Sequence, residues 1–206
     1  MFEDRRDAGK QLADRMGDLI KNDPVLLAIP RGGVVVAYEI AKRHNVPMDV
    51  IMIRKIGHPS NEEYAIGAVS QTNSFVHPYH SQGVPQEYVR RQIEAKQKEA
   101  WERYKELRGD KPPLNLQGKT AILVDDGIAT GSTMIMAIMV VRGMNPQKVV
   151  VAVPVAPPDS VRQLEKVADD VMCLLQPMGF MAIGQFYNDF RQVSTQEARG
   201  LMEELR

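Results

Sequence analysis

The stretch richest in chemistry is Ile122-Leu123-Val124-Asp125-Asp126-Gly127-Ile128-Ala129-Thr130-Gly131-Ser132-Thr133: an apolar run, two adjacent carboxylates, then a small, hydroxyl-rich turn. A turn of small residues lets several backbone N–H groups converge. A helix opening after it adds partial positive charge, and the two together suit a phosphate. Thr130, Ser132 and Thr133 can donate further hydrogen bonds to the same group. The helix dipole supplies only about 0.3–1 kcal/mol when exposed and up to ~2 kcal/mol when partly buried, so the convergent hydrogen bonds carry most of the hold. Two carboxylates beside such a nest would repel the phosphate itself. They fit better as acceptors for the hydroxyls of an attached sugar. No lysine precedes Ser132, so this is not the phosphate loop of the nucleoside triphosphatases. An isolated Asp-Gly would read as a capped turn; the whole string is poorly explained that way.

Two further segments suit anions. Pro30-Arg31-Gly32-Gly33 follows an apolar run. Adjacent glycines permit backbone conformations closed to other residues and let an anion come close, and Arg31 can add a charge-assisted contact. Taken alone, the same residues are equally a helix entry. Arg54-Lys55-Ile56-Gly57-His58-Pro59 follows the next apolar run, and its two cations suit a diphosphate. The residues after it, Ser60-Asn61-Glu62-Glu63-Tyr64, read by themselves as a polar loop, with residues 65–70 returning as a strand or hairpin. His58 reads as a loop residue, and His44, His77 and His80 show no metal-ligand spacing.

Each of these segments stands where a strand should end. Residues 25–30, 49–53, 120–124, 148–155 and 171–175 are strand-length apolar runs, and residues 34–44, 132–141 and 160–167 read as helices between them. Strands apolar on both faces, alternating with helices, predict an α/β fold with a doubly wound, mainly parallel central sheet flanked by helices. In such sheets ligands bind at the carboxyl ends of the strands, near the switch in strand order. Residues 86–109 form a charged helix with a narrow apolar stripe at Val89, Ile93, Ala100, Trp101, Tyr104 and Leu107, either a subunit contact or a strut over the domain. Residues 176–206 form a tail that carries Phe180, Phe186, Tyr187 and Phe190, then a helix from about Thr195 capped by Ser194. A single domain over residues 1–206 is expected, with its core at about 20–175 and Lys111-Pro112-Pro113 as a connector.

The chain's 206 residues are ample for one core. Its 26 Lys+Arg balance 26 Asp+Glu, which excludes a basic sheath for nonspecific nucleic-acid binding and an acidic tail. No nucleic-acid partner is expected. The lone Cys173 cannot build an internal disulfide framework, which points to a reducing, cytoplasmic setting. The N-terminus is charged, unlike a secretory signal. The longest apolar runs, such as Val149-Val150-Val151-Ala152-Val153, fall far short of the roughly 20 residues of a membrane helix, so no membrane partner is expected.

Residues 122–133 resemble the phosphoribosyl-pyrophosphate signature of the type I phosphoribosyltransferases, and the element order over about residues 20–175 resembles their core. That family transfers the 5-phosphoribosyl group from phosphoribosyl pyrophosphate (PRPP) to a nucleophile, usually a nitrogenous base, releasing pyrophosphate with Mg²⁺ present. The resemblance implies that Asp125 and Asp126 bind the ribose hydroxyls. It gives the ribose and 5-phosphate together to Asp125, Asp126, Gly127, Ala129, Thr130, Gly131, Ser132 and Thr133, with residues 129–133 wrapping the 5-phosphate. It gives the pyrophosphate to Arg31, Gly32, Gly33, Arg54 and Lys55. It makes Arg31, Lys55, Asp125 and Asp126 the catalytic set. The family's mobile loop would fall at residues 60–64, where Glu62, Glu63 and Tyr64 would close over the centre and exclude water. Mg²⁺ is expected to be held mainly by PRPP, with no direct protein ligand. Phe180, Phe186 and Tyr187 would form the acceptor hood, where aromatic rings could stack on a planar acceptor, while Phe190 reads as a seal on the core.

One departure stands out: the oxopurine-using branch carries an Asp where this chain has Ala129, which weighs against an oxopurine acceptor. Asp4-Arg5-Arg6, Pro30-Arg31-Gly32-Gly33, Arg54-Lys55 and Tyr187-Asn188-Asp189-Phe190 together resemble a bacterial and archaeal subgroup of phosphoribosyltransferase-like proteins. The likeness and the apolar stripe imply a homodimer acting on PRPP and a small acceptor. The rival reading is a PRPP-sensing regulator that keeps the fold and binds nucleic acid or a protein. Against a nucleic-acid role, Arg90, Arg91, Arg103 and Lys105 alternate with Glu94, Glu99, Glu102 and Glu106, so helix 86–109 has no clean basic stripe.

Overall fold

The structure is a computed structural model that describes residues 1–205. In chain order the elements are α1 (Arg5–Arg15), β1 (Pro24–Ala28), α2 (Gly32–His44), β2 (Met48–Val50), β3 (Arg54–His58), β4 (Asn61–Val69), β5 (Ser74–Val76) and α3 (Gln86–Arg108). They continue with β6 (Thr120–Val124), α4 (Ser132–Arg142), β7 (Lys148–Val155), α5 (Pro158–Leu164), β8 (Asp170–Leu175) and α6 (Thr195–Glu204). Among the described residues no helix is long and apolar enough to cross a membrane.

Five strands form a wholly parallel sheet in the order β2-β1-β6-β7-β8. Successive residues of a strand point to opposite faces, and both faces are buried here. Leu26 and Ala28 of β1 join one core with α1, α2 and α6; Val25 and Leu27 join the other with α4 and α5. Covering on both faces is why these strands are apolar without alternation. From β1 the chain crosses to β2 on one side, and from β6 it proceeds to β7 and β8 on the other. The order therefore switches between β1 and β6, and the loops leaving those two strands face each other across the crevice.

A second, antiparallel sheet, β3-β4-β5, stands beside the first. It explains two departures from the sequence reading. The expected strand at residues 49–53 is only Met48–Val50, because the chain leaves the parallel sheet there. The Gln71 side chain then takes the place of a next strand: Met52 N donates to its Oε1 and its Nε2 donates to Val50 O, each at 3.1 Å. The expected loop at residues 60–64 is the exposed start of β4, entered through a tight turn at Pro59-Ser60. Gly57 makes that hairpin possible, since a Cβ there would sit 2.5 Å from Glu62 O.

Helix α3 takes the strut role. Its C-terminal half buries Ala100, Tyr104 and Leu107 in the main core, and Tyr88, Val89 and Ile93 pack on Ile56, Ile66 and Val69 of the second sheet. Asp49, 1% exposed, pins it. Its carboxylate accepts from Tyr104 Oη at 3.1 Å and Leu114 N at 2.9 Å, and lies 2.9 Å from Arg108 Nε. Burial raises the Asp49 pKa, against the pull of those donors.

Candidate functional site

The loops after β1 and β6 are packed backbone to backbone. Ile29 N donates to Val124 O at 2.9 Å. A Cβ on Gly33 would lie 2.6 Å from Val124 O and 3.0 Å from Asp125 Cα, so only glycine fits. At Gly32 a Cβ would overlap the Asp126 carboxylate. The peptide bond between Pro30 and Arg31 is cis. The two glycines that the sequence offered to an anion thus serve first to bring the two loops together.

Beyond β6 the chain makes the small-residue turn. Gly131 has φ +78°, a left-handed conformation natural to glycine, and it starts α4. Ser160 Oγ donates to Ala129 O at 2.6 Å and steadies the turn from α5. Ala129, Thr130, Ser132 and Thr133 line the turn, and the Thr130 and Ser132 hydroxyls, both exposed, lie 3.2 Å apart. Asp125, Gly127, Ala129, Thr130, Gly131, Ser132 and Thr133 all line one pocket of about 210 Å³. The structure gathers the whole set predicted for a sugar phosphate, with the sole exception of Asp126.

The two carboxylates have different surroundings. Asp126 is buried; its Oδ2 accepts from Arg5 Nε at 2.6 Å and its backbone O from Tyr187 Oη at 2.6 Å. Asp125 stands at the pocket wall, with Oδ1 accepting from Asp126 N at 2.8 Å. Burial, reinforced by the Asp126 charge, pushes the Asp125 carboxyl well above the usual range, and Arg5 opposes this. Burial likewise raises the Tyr187 hydroxyl, with the Asp126 charge adding to it.

A second pocket, of about 330 Å³, opens beside the first loop, where Pro30, Arg31 and Arg54 meet Arg103 and Glu106 of α3 and Thr195 of α6. Three cations face one carboxylate, which pairs with Arg103 at 3.2 Å. Arg31 Nη1 makes a long bond to Thr195 Oγ1, 3.5 Å, while Arg54 donates from Nη1 to its neighbour's carbonyl, Ile53 O, at 3.3 Å and lies 3.9 Å from Glu99 through Nε. Lys55 is not in this group. Its Nζ lies 3.1 Å from Glu63 Oε2, within the hairpin. Glu62, Glu63 and Tyr64 are exposed strand residues of β4.

The tail differs most from expectation. Tyr187 is buried, its ring tilted against Phe2 at 5.3 Å and Phe190 at 4.9 Å, so it offers no face to a ligand. Phe180 and Phe186 stack on each other at 5.4 Å and pack on the same cluster. Ile183 is the tail residue at the pocket after β6, and a Cβ on Gly127 would come within 2.5 Å of it. Sequence reasoning gave no role to Arg5, Arg103, Ser160 or Ile183. Arg5 left a trace as part of Asp4-Arg5-Arg6, and Arg103 appeared only as one of the alternating charges of helix 86–109. Among the described residues no group of three or more His, Cys, Asp or Glu is placed to hold a metal ion.

Comparisons with known proteins bear on the family and the fold. A family model described as "Phosphoribosyl transferase domain" matches residues 4–187. A Mycobacterium tuberculosis (strain H37Rv) relative named "Putative phosphoribosyl transferase Rv0571c" is 40% identical over 210 residues, covering 98% of this chain and 46% of that protein. The chain therefore spans about half the length of the curated relatives it matches. The crystal structure of the protein TT1426 from Thermus thermophilus superposes with a TM-score of 0.91 at 39% identity, covering 100% of this chain and 99% of that one. With the family model spanning the parallel sheet, the paired loops and the small-residue turn after β6, the chain belongs to the phosphoribosyl transferase domain family.

Proposed function

We propose that the protein binds Mg²⁺ and PRPP and transfers the 5-phosphoribosyl group to a small acceptor, a nitrogenous base, with release of pyrophosphate. The observation that carries this reading is the meeting, at the strand-order switch, of a sugar-phosphate cradle after β6 and a cationic pocket after β1. The 5-phosphate takes the open N–H and hydroxyl groups of residues 129–133, where the start of α4 favours negative charge. Asp125 accepts hydrogen bonds from the ribose hydroxyls. Arg31 and Arg54 meet the pyrophosphate.

The bond from ribose C1 to the diphosphate oxygen breaks, its electron pair leaving on pyrophosphate, as a bond from C1 to the acceptor nitrogen forms and that nitrogen's proton passes to solvent or to the departing pyrophosphate. Positive charge builds on the sugar in between, so positioning and leaving-group stabilisation govern the rate. Mg²⁺, when bound with the substrate, neutralises charge on the diphosphate; the hard oxygen of Asp125 at the pocket wall is compatible with a cation held mainly through substrate oxygens. In this reading the exposed start of β4 would fold over the centre once substrate is bound, while Phe180 and Phe186, packed on the tail cluster, support the acceptor side from behind.

The test is pyrophosphate release when protein, Mg²⁺ and PRPP are incubated with a panel of nitrogenous bases. Release that depends on one base establishes the transferase. PRPP binding with no turnover on any base replaces it with the sensing role. Absence of PRPP binding overturns both.

A further inference from the structure

We propose that Arg5 is a positioning residue for the sugar site: it locks Asp126 into a floor on which both active loops rest, leaving Asp125 to meet the substrate. This rests on the PRPP-binding reading above. The floor is visible from both sides. On one side, a Cβ on Gly32 would overlap Asp126 Oδ2, and would lie 2.5 Å from its Cγ and 2.9 Å from Arg5 Nε. The backbone of the first loop thus lies directly on the ion pair. On the other side, Asp126 begins the proposed sugar-phosphate turn, and its backbone groups and one carboxylate oxygen are committed inside the protein. Its N–H goes to Asp125, its carbonyl to Tyr187 and its Oδ2 to Arg5.

Arg5 is itself held on three sides. It follows Asp4, whose side chain caps α1 by accepting from Asp7 N at 2.8 Å. Its Nη1 donates to Arg191 O at 2.8 Å, and its guanidinium lies 3.8 Å from the Phe190 ring centroid. With side-chain exposures of 10% and 12%, the Arg5–Asp126 pair is shielded from water and from competing ions. The planar guanidinium serves Asp126 and the tail carbonyl at once, while a lysine ammonium could meet only the first. The N-terminal helix and the tail therefore converge beneath the turn that takes the ribose, 121 residues from Arg5 in sequence. A structural bridge alone would affect melting. A positioning residue also sets affinity in protein that remains folded.

Calorimetric titration of Mg²⁺ and PRPP into wild type, Arg5→Met, Arg5→Lys, Asp126→Asn and the Arg5→Met/Asp126→Asn double variant tests this, with a melting curve for each. Folded Arg5→Met should bind about tenfold more weakly or worse, as expected when a charged hydrogen-bond acceptor is displaced. Arg5→Lys should recover most of that loss, because it restores the charge at Asp126. In the Asp126→Asn background, adding Arg5→Met should change affinity by less than about twofold, since Arg5 acts through that carboxylate. That comparison, with Arg5→Lys, decides the matter if Arg5→Met alone does not fold. Wild-type affinity in folded Arg5→Met, or an equal penalty in both backgrounds, overturns the role of Arg5 and leaves the PRPP reading standing. No binding by wild type overturns the PRPP reading itself and, with it, this inference.

Discussion

Gly33→Ala is the sharpest test of the crevice between β1 and β6. The added methyl would stand 2.6 Å from Val124 O, and ordinary contact begins at 3.4 Å, so the loops must part by about 0.8 Å. Both nearest atoms, Val124 O and Asp125 Cα, are backbone, and no side chain can swing away to relieve the clash. The same Val124 O accepts from Ile29 N at 2.9 Å, so separation also weakens that bond, worth about 0.5–1.5 kcal/mol net. Gly33 lies in the first turn of α2, where alanine's helix preference returns about 0.5–1 kcal/mol. These two small effects nearly cancel. What remains is the overpacking cost of about 1–3 kcal/mol. Function should suffer more, because a displacement near 1 Å between reacting groups costs on the order of a hundredfold. Urea denaturation and PRPP titration measure the two effects. Gly200→Ala is the control: it lies in α6 with nothing within 4 Å of its would-be Cβ, and should stabilise by about 0.5–1 kcal/mol. Wild-type stability and affinity in Gly33→Ala would refute the close-packed crevice.

The carboxyl of Asp125 sits well above the usual range before ligand binds, and its ionised form is the better acceptor for sugar hydroxyls. PRPP affinity should therefore rise with pH through that raised value and flatten above it. Titrations between about pH 5 and about pH 8 should show a component that Asp125→Asn lacks, the substrate's own phosphate ionisation being common to both. A pH profile identical in the two proteins removes Asp125 from the sugar site. Asp49→Ala strands the Tyr104 hydroxyl, Leu114 N–H and Arg108, and should cost about 3–5 kcal/mol in chemical denaturation; a loss under about 1 kcal/mol would show that α3 is held by apolar packing alone. Lys55→Ala should lower pyrophosphate release more than PRPP affinity, because Lys55 rides on the hairpin with Glu63 instead of lining either pocket. Unchanged release would take Lys55 out of the mechanism.

Strands β6 and β7 were legible to the residue because burial on both faces makes the apolar run and the strand the same object. The rule fails at β2. Ile51 and Met52 are buried like Val50, yet they pack while the chain is already crossing to the second sheet. The start of β4 failed for the opposite reason: Asn61, Glu62, Glu63 and Tyr64 are exposed on a projecting arm, with the composition of a loop. What makes them a strand is the approach of Glu62 to Gly57, which no local pattern reveals.

The site divides along the same line. The turn at residues 125–133 was readable because its chemistry is local, a string of small and hydroxyl-bearing residues in one loop. The unequal fate of its two carboxylates was not, because it depends on a cation from the first helix. Two like charges about 6 Å apart repel by about 3 kcal/mol at an effective dielectric of ~20, so two bare carboxylates would oppose a substrate already rich in phosphate. Arg5 offsets one of them: with all three groups ionised, Asp125, Asp126 and Arg5 together carry one negative charge where the motif alone carries two. The balance of 26 cations against 26 anions over the chain leaves open which pairs cancel. Folding decides it, and here the cancelled charge lies directly beneath the loop proposed to receive an anion.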